Sequence, residues 1–133
     1  MKKIVLVTVA AMIAATAAFA QSDADYQGYM KAIAGANGSL GKNLEAKNAA
    51  GVAADAQKIA DTMKQVEAFW QGRNTADAVA FSQKAGAAAT AIATAAKAGN
   101  LDEAAAAQKT MAPNCGGCHM AHRDKTDAGF KIK

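Results

Sequence analysis

From Tyr26 onward the chain repeats one pattern. Tyr26, Met30, Ile33, Asn37, Leu40 and Leu44 recur at 4-3-4-3-4 spacing, with polar or small residues between them. Val52, Ile59, Met63, Val66 and Trp70 keep the same seam in a second segment, and Ala78, Phe81, Ala85, Ala88, Ile92 and Ala95 keep it in a third. Side chains at that spacing share one face of a helix and form a bundle-core stripe. Three breaks divide the pattern, at Asn48 to Gly51, at Gln71-Gly72-Arg73-Asn74, and at Gly99-Asn100. Asn74 with Asp77, and Asn100 with Glu103, have the cap-x-x-acid spacing that satisfies the free N–H groups of a helix start. The pattern predicts four helices of roughly twenty residues joined by short turns. Short turns favour antiparallel neighbours, so the expectation is an all-α, up-down-up-down four-helix bundle. No run alternates apolar and polar residues long enough to predict a strand.

The seams are rich in alanine. Either the helices approach very closely there, or the missing side-chain volume is supplied by a large apolar cofactor.

The first twenty residues read differently. Lys2 and Lys3 precede an apolar run from Ile4 to Ile13, and Ala18-Phe19-Ala20 has the small-x-small form of a cleavage site. These are the parts of a secretory signal, residues 1–20, cut after Ala20. The mature protein is then one domain, 21–133, periplasmic or secreted, with no membrane attachment after cleavage. Without Lys2 and Lys3, 13 basic residues face 11 acidic ones. The lysines are scattered and no basic stripe interleaves with aromatics, which argues against nucleic-acid binding.

Candidate chemistry is concentrated in Cys115-Gly-Gly-Cys118-His119-Met-Ala-His122-Arg123. That stretch holds both cysteines, both histidines and one of the two arginines. C-x-x-C-H is the signature of c-type haem attachment. On a helix the two sulfurs fall almost one turn apart, which suits addition to two vinyl groups on one porphyrin edge. The following imidazole then comes under the iron as proximal ligand. A dithiol redox pair also uses C-x-x-C but belongs with a strand-containing fold. A zinc site has four candidates in Cys115, Cys118, His119 and His122, all on one short segment that such a site would barely cross-link.

A leader, four helices and C-x-x-C-H near the C-terminus, with a basic residue four positions after the histidine, resemble the class II cytochromes c, the cytochrome c′ family. The resemblance covers the whole mature chain; its specific part is Cys115, Cys118, His119 and Arg123. It implies one haem c inside the bundle, with thioethers at Cys115 and Cys118. It further implies His119 as the iron's fifth ligand, Arg123 beside it, and the first helix over the distal face. His122, on a neighbouring helix face, is expected to be a partly exposed bystander.

Two features depart from the family pattern. Pro113 lies inside the fourth helix and should kink or restart it. Asn37 falls at the distal position, where the family usually has an apolar residue or a ligating methionine. The heptad spacing places Asn37 on the buried seam, where an amide needs a partner, unless it fixes register as core asparagines do. The sixth position is then empty, held by water, or taken by Met30.

The expected function is one-electron transfer with redox partner proteins, the iron cycling between ferric and ferrous states, and no enzymatic reaction. The alternative is binding of nitric oxide or carbon monoxide at an open distal site. Homodimerisation and the redox partner are left open by the sequence.

Overall fold

The structure, a computed structural model, describes residues 20–133. The expected secretory leader lies outside the described residues, except for Ala20. Four helices follow one another: α1 Asp23–Glu45, α2 Ala49–Gly72, α3 Ala76–Lys97 and α4 Leu101–His122. At a rise of about 1.5 Å per residue each is roughly 35 Å long. Among the described residues no helix is long and apolar enough to cross a membrane.

The same three-residue turn joins all three helix pairs: Ala46–Asn48, Arg73–Thr75 and Ala98–Asn100. In each, the middle residue is left-handed: Lys47 (φ 53°), Asn74 (φ 54°) and Gly99 (φ 78°). The next N–H reaches back to a carbonyl five residues earlier, Asn48 to Asn43, Thr75 to Trp70 and Asn100 to Ala95, at 2.8 to 3.1 Å. This closes each helix by satisfying carbonyls that have lost their helical partners. Only Gly99 takes the conformation without steric cost.

Asn100 caps α4 as expected, its Oδ1 accepting from the Glu103 N–H at 3.2 Å while its amide donates to the Glu103 carboxylate at 2.8 Å. The expected cap at Asn74 is wrong by one residue. Asn74 is the left-handed residue of the turn, and Thr75 stands at the cap without a side-chain bond to the helix N–H groups, its hydroxyl donating instead to the Arg73 carbonyl at 3.3 Å. Gly51 is not part of a break either; it lies in the first turn of α2, behind the cap Asn48. A Cβ there would come within 2.5 Å of the Asn43 side chain. That amide donates to Asp55 at 2.8 Å and its oxygen accepts from Asn48 at 2.9 Å, fastening the end of α1 to the start of α2. A capping box unforeseen in the sequence, Ser22 with Asp25, opens α1.

The core confirms the stripes except at one position. Leu40, Val52, Ile59 and Ile92 are fully buried. α2 supplies most of the bulk, including Met63, Val66, Phe69 and Trp70, while α3 meets it with Ala78, Ala85, Ala89, Ala93 and Ala96. The alanines therefore serve mainly as sites of close helix approach. α1 packs on α2, α2 on α3 and α3 on α4, but the first and last helices do not close against each other. α4 accordingly buries little: Ala104, Met111 and Cys118, spaced by sevens.

The expectation of an all-α chain needs correction. Arg123–Thr126 (β1) and Gly129–Ile132 (β2) pair as an antiparallel hairpin, Arg123 opposite Ile132 and Lys125 opposite Phe130. Each strand is too short to reveal a period. The turn uses Gly129 at φ 123°, and the Thr126 hydroxyl donates to the Gly129 carbonyl at 3.1 Å. Three contacts hold the hairpin to the helices: Gln27 Nε2 donates to the Phe130 carbonyl, the Lys133 N–H to the His122 carbonyl, and Lys133 Nζ to the Met120 carbonyl, each at 3.0 Å. The expected restart at Pro113 does not occur. α4 runs unbroken through it, with the ring on the exposed face, where the carbonyl it leaves without a donor can meet water.

Candidate functional site

The parting of α1 from α4 leaves a cavity of about 260 Å³, open on one side. Cys115, Cys118 and His119 of α4 line it, with Met111 and Asn114 one turn earlier. Tyr26, Met30, Ile33 and Asn37 of α1 form the facing wall, and Met63, Val66 and Phe81 contribute to the rest. A second cavity of about 330 Å³ adjoins it and shares Asn37, Met111 and Cys115. The opening thus continues along the groove between the two helices.

Every site residue expected from the sequence lies on this cavity: Cys115, Cys118, His119, Arg123 and Asn37. Two of them sit differently from expectation. Asn37 is exposed, because the seam position it occupies has no partner helix where α1 and α4 diverge. Its amide meets water at the junction of the two cavities, so the cost of burial does not arise. Arg123 is not one helical turn beyond His119. α4 ends at His122, and Arg123 is extended (φ −132°, ψ 128°) as the cap and the first residue of β1. Its guanidinium still reaches the cavity wall and lies 3.9 Å over the Phe130 ring.

His122 is partly exposed, as expected, and it makes a tertiary contact that the sequence did not show. Its Nε2 lies 2.8 Å from the Asp77 carboxylate at the start of α3, and its ring packs 5.1 Å from that of Trp70. Trp70 in turn meets Phe69 at 5.1 Å and Tyr26 at 5.4 Å. Residues from all four helices are thereby fastened beside the site. With His122 committed to Asp77, the four candidates for a zinc site do not converge, and among the described residues no other His, Cys, Asp or Glu cluster suits a metal ion.

The electrostatics sort the remaining chemistry. Burial raises both thiols, Cys118 to about 11, with the negative charge of Asp77 and of Cys115 adding to the effect. Both are free and carry their protons at neutral pH. A working dithiol redox centre needs the opposite, a thiol lowered toward neutrality. Burial, and then the Arg123 charge, lower His119, so its imidazole is neutral and can offer a lone pair. Burial, with the Cys118 charge, raises Tyr26 to about 12, which keeps the phenol neutral at the wall.

These residues fit a haem in donor type. Two protonated thiols three positions apart and a neutral imidazole share an apolar wall with thioethers opposite. The cavity is slightly smaller than the range of about 300–1,000 Å³ usual for cofactor clefts. Seating a macrocycle asks the wall to adjust. Its movable parts are Met30, Met63 and Met111, whose unbranched thioethers repack readily, and the half-buried Phe81 ring.

Phe81 also explains one of the two glycines of the motif. A Cβ on Gly117 would lie 2.6 Å from Phe81 Cε1, whereas a Cβ on Gly116 meets nothing within 4 Å. The heptad stripe marked Phe81 as core, but only the fold shows that it leans on the motif. Met111 and Asn114 could have been found from the helical period, one turn before Cys115 and Cys118.

No protein-family model, no curated protein and no solved structure matches this chain.

Gly116→Ala should stabilise the protein toward urea by up to about 1 kcal/mol through helix propensity. Gly117→Ala should destabilise it by about 1–3 kcal/mol through overpacking, and adding Phe81→Ala should recover part of that loss relative to Phe81→Ala alone. Equal effects at the two glycines would contradict the contact.

The Asp77 carboxyl is held below its ordinary value, chiefly by its hydrogen bond with His122. A lowered carboxylate contributes stability that is complete above about pH 4 and is lost as pH falls through the lowered value. Asp77→Asn should therefore lower the urea midpoint at neutral pH, and the two proteins should converge in acid. A constant difference across that range would remove the pair as the cause.

Proposed function

We propose that this chain is an exported monohaem c-type cytochrome of the class II kind, working in one-electron transfer with other redox proteins. One observation carries the reading: the C-x-x-C-H side chains lie together on the wall of a single apolar cavity between the first and last helices. Two further contacts favour the antiparallel up-down arrangement that goes with it. Tyr26, Trp70, Asp77 and His122 meet at one end of the helices, and Asn43 meets Asp55 at the end of α1 and the start of α2. The leader and the periplasmic or secreted location rest on the sequence.

When bound, the haem supplies an iron that gains and loses one electron. Cys115 and Cys118 would each add S–H across a vinyl double bond of the haem, sulfur to one carbon and hydrogen to the other, and His119 would ligate through its neutral nitrogen. The apolar walls would hold water away from the iron, and Arg123 would oppose positive charge on His119. This assignment makes no bond in a substrate, so the protein is not proposed to be an enzyme. Gas binding is the second reading, favoured by Asn37, whose amide is a poor iron ligand but a hydrogen-bond donor at the mouth.

Protein produced with its leader in a host that exports and matures c-type cytochromes should retain its colour after denaturation. Its mass should exceed that of the chain from Gln21 by one haem. His119→Ala should abolish the native spectrum, while His122→Ala should keep haem attachment and ligation. Colourless protein with a Cys115–Cys118 disulfide would overturn the proposal, as would His122→Ala losing ligation while His119→Ala kept it.

A further inference from the structure

The hairpin is the element that the helical pattern did not announce, and it concentrates two kinds of exposed group. From Gln21 to His122 the chain carries nine basic and nine acidic residues, so its four helices are formally neutral. From Gln21 onward the excess of positive charge lies in residues 123–133, where Arg123, Lys125, Lys131 and Lys133 outnumber Asp124 and Asp127. Lys125 and Lys131 are exposed and form no ion pair among the described residues. Met120 and Phe130, 77% and 48% exposed, are the large hydrophobic residues left in solvent among the described residues. Both belong to this end. Lys133 reaches back to the Met120 carbonyl, and the Phe130 ring lies under Arg123, which lines the cavity.

We propose that the hairpin, with Met120, is the docking surface for an acidic redox protein. Phe130 is cross-strand partner to Lys125 and lies under Arg123, while Lys131 stands opposite Asp124 on the other face; an exposed apolar side chain flanked by cations is a common element of a transient interface. The charge steers an oppositely charged partner and sets the encounter rate. The surface abuts the cavity through Arg123, so a partner seated there comes close to the site. A membrane is the poorer occupant: two exposed apolar side chains offer little depth, and Asp124 and Asp127 stand among the lysines. That the partner is a redox protein rests on the haem reading; the surface itself does not.

The test uses the whole protein, isotope-labelled for NMR and titrated with a short peptide of alternating glutamate and leucine. Amide shifts should be confined to residues around 120–133. They should fade at physiological ionic strength, where the Debye length is about 8 Å. Lys125→Glu with Lys131→Glu should weaken binding about tenfold. Lys58→Glu with Lys84→Glu, on the helices, should change it by less than about twofold. Shifts spread over the helices, a reversed-charge variant that binds like the parent, or tighter binding to phosphatidylglycerol vesicles than to the peptide would each overturn the proposal. In haem-loaded protein the hairpin variant should also slow oxidation by anionic hexacyanoferrate about tenfold, and should not slow oxidation by a cationic cobalt phenanthroline complex. Colourless protein that still binds the peptide at the hairpin would remove the redox assignment and keep the surface. Coloured protein without a hairpin response would do the reverse.

Discussion

Everything distinctive in this protein depends on an inequality of packing. α2, α3 and α4 draw together because α3 meets its neighbours with alanines, which let helix axes approach closely. α1 has larger side chains and holds to α2. The first and last helices are left apart, and the groove between them is the site. Had the alanines been spread evenly over all four helices, the bundle could have closed and Cys115 would have faced a packed core. The same inequality exposes Asn37 and reduces the buried face of α4 to residues spaced by sevens.

A groove between two helices stays open only if both are held from elsewhere. The aromatic cluster at one end does this. Tyr26 packs on Phe69 with ring centres 4.6 Å apart and meets Trp70 edge-on, while Trp70 also carries His122. Asp77 ties His122 to α3, and Arg73 both covers the Phe69 ring and pairs with Asp23. The exposed ion pair adds little by itself. The rings bury large areas and carry most of the attachment. α1 and α4 are thus joined at one end and free along the groove, so the cavity wall can adjust there without loss of the fold. His119 lies one turn before His122, at the fixed end, while Cys115 lies farther along.

How much of this was legible in the sequence follows from the range of each interaction. The stripes of α1 to α3 were legible because burial imposes a helical period on many residues at once. Asn100 with Glu103 was legible because a capping box is local. Asn74 misled because asparagine suits both a cap and a left-handed turn residue, and only the bond from Thr75 to Trp70 decides between them. The hairpin was not legible. Four-residue strands carry no period, and what holds them includes a bond from Gln27 to Phe130, 103 positions apart. The site was legible in its chemistry and, through Met30 and Asn37, in its α1 wall, but not in the rest of its walls. Cys115, Cys118 and His119 announce themselves by spacing, whereas Phe81 against Gly117 and His122 against Asp77 are meetings of helices distant in sequence.

On the haem reading, the same packing bears on the choice between electron transfer and gas binding. That choice turns on which residue of α1 faces the iron. Met30 and Asn37 stand two turns apart on one stripe, and both reach the cavity wall. They differ in what they give up to be there. Asn37 is exposed and already hydrated, so turning its amide inward costs hydrogen bonds to water. Met30 is half-buried and apolar, so its sulfur loses little by turning toward an iron. Asn37 also sits where the groove widens into the second cavity, and a tight distal pocket for a diatomic gas needs the opposite. If the cavity holds a haem, Met30 would therefore turn into it at lower cost than Asn37, and that difference favours the electron-transfer proposal over gas binding.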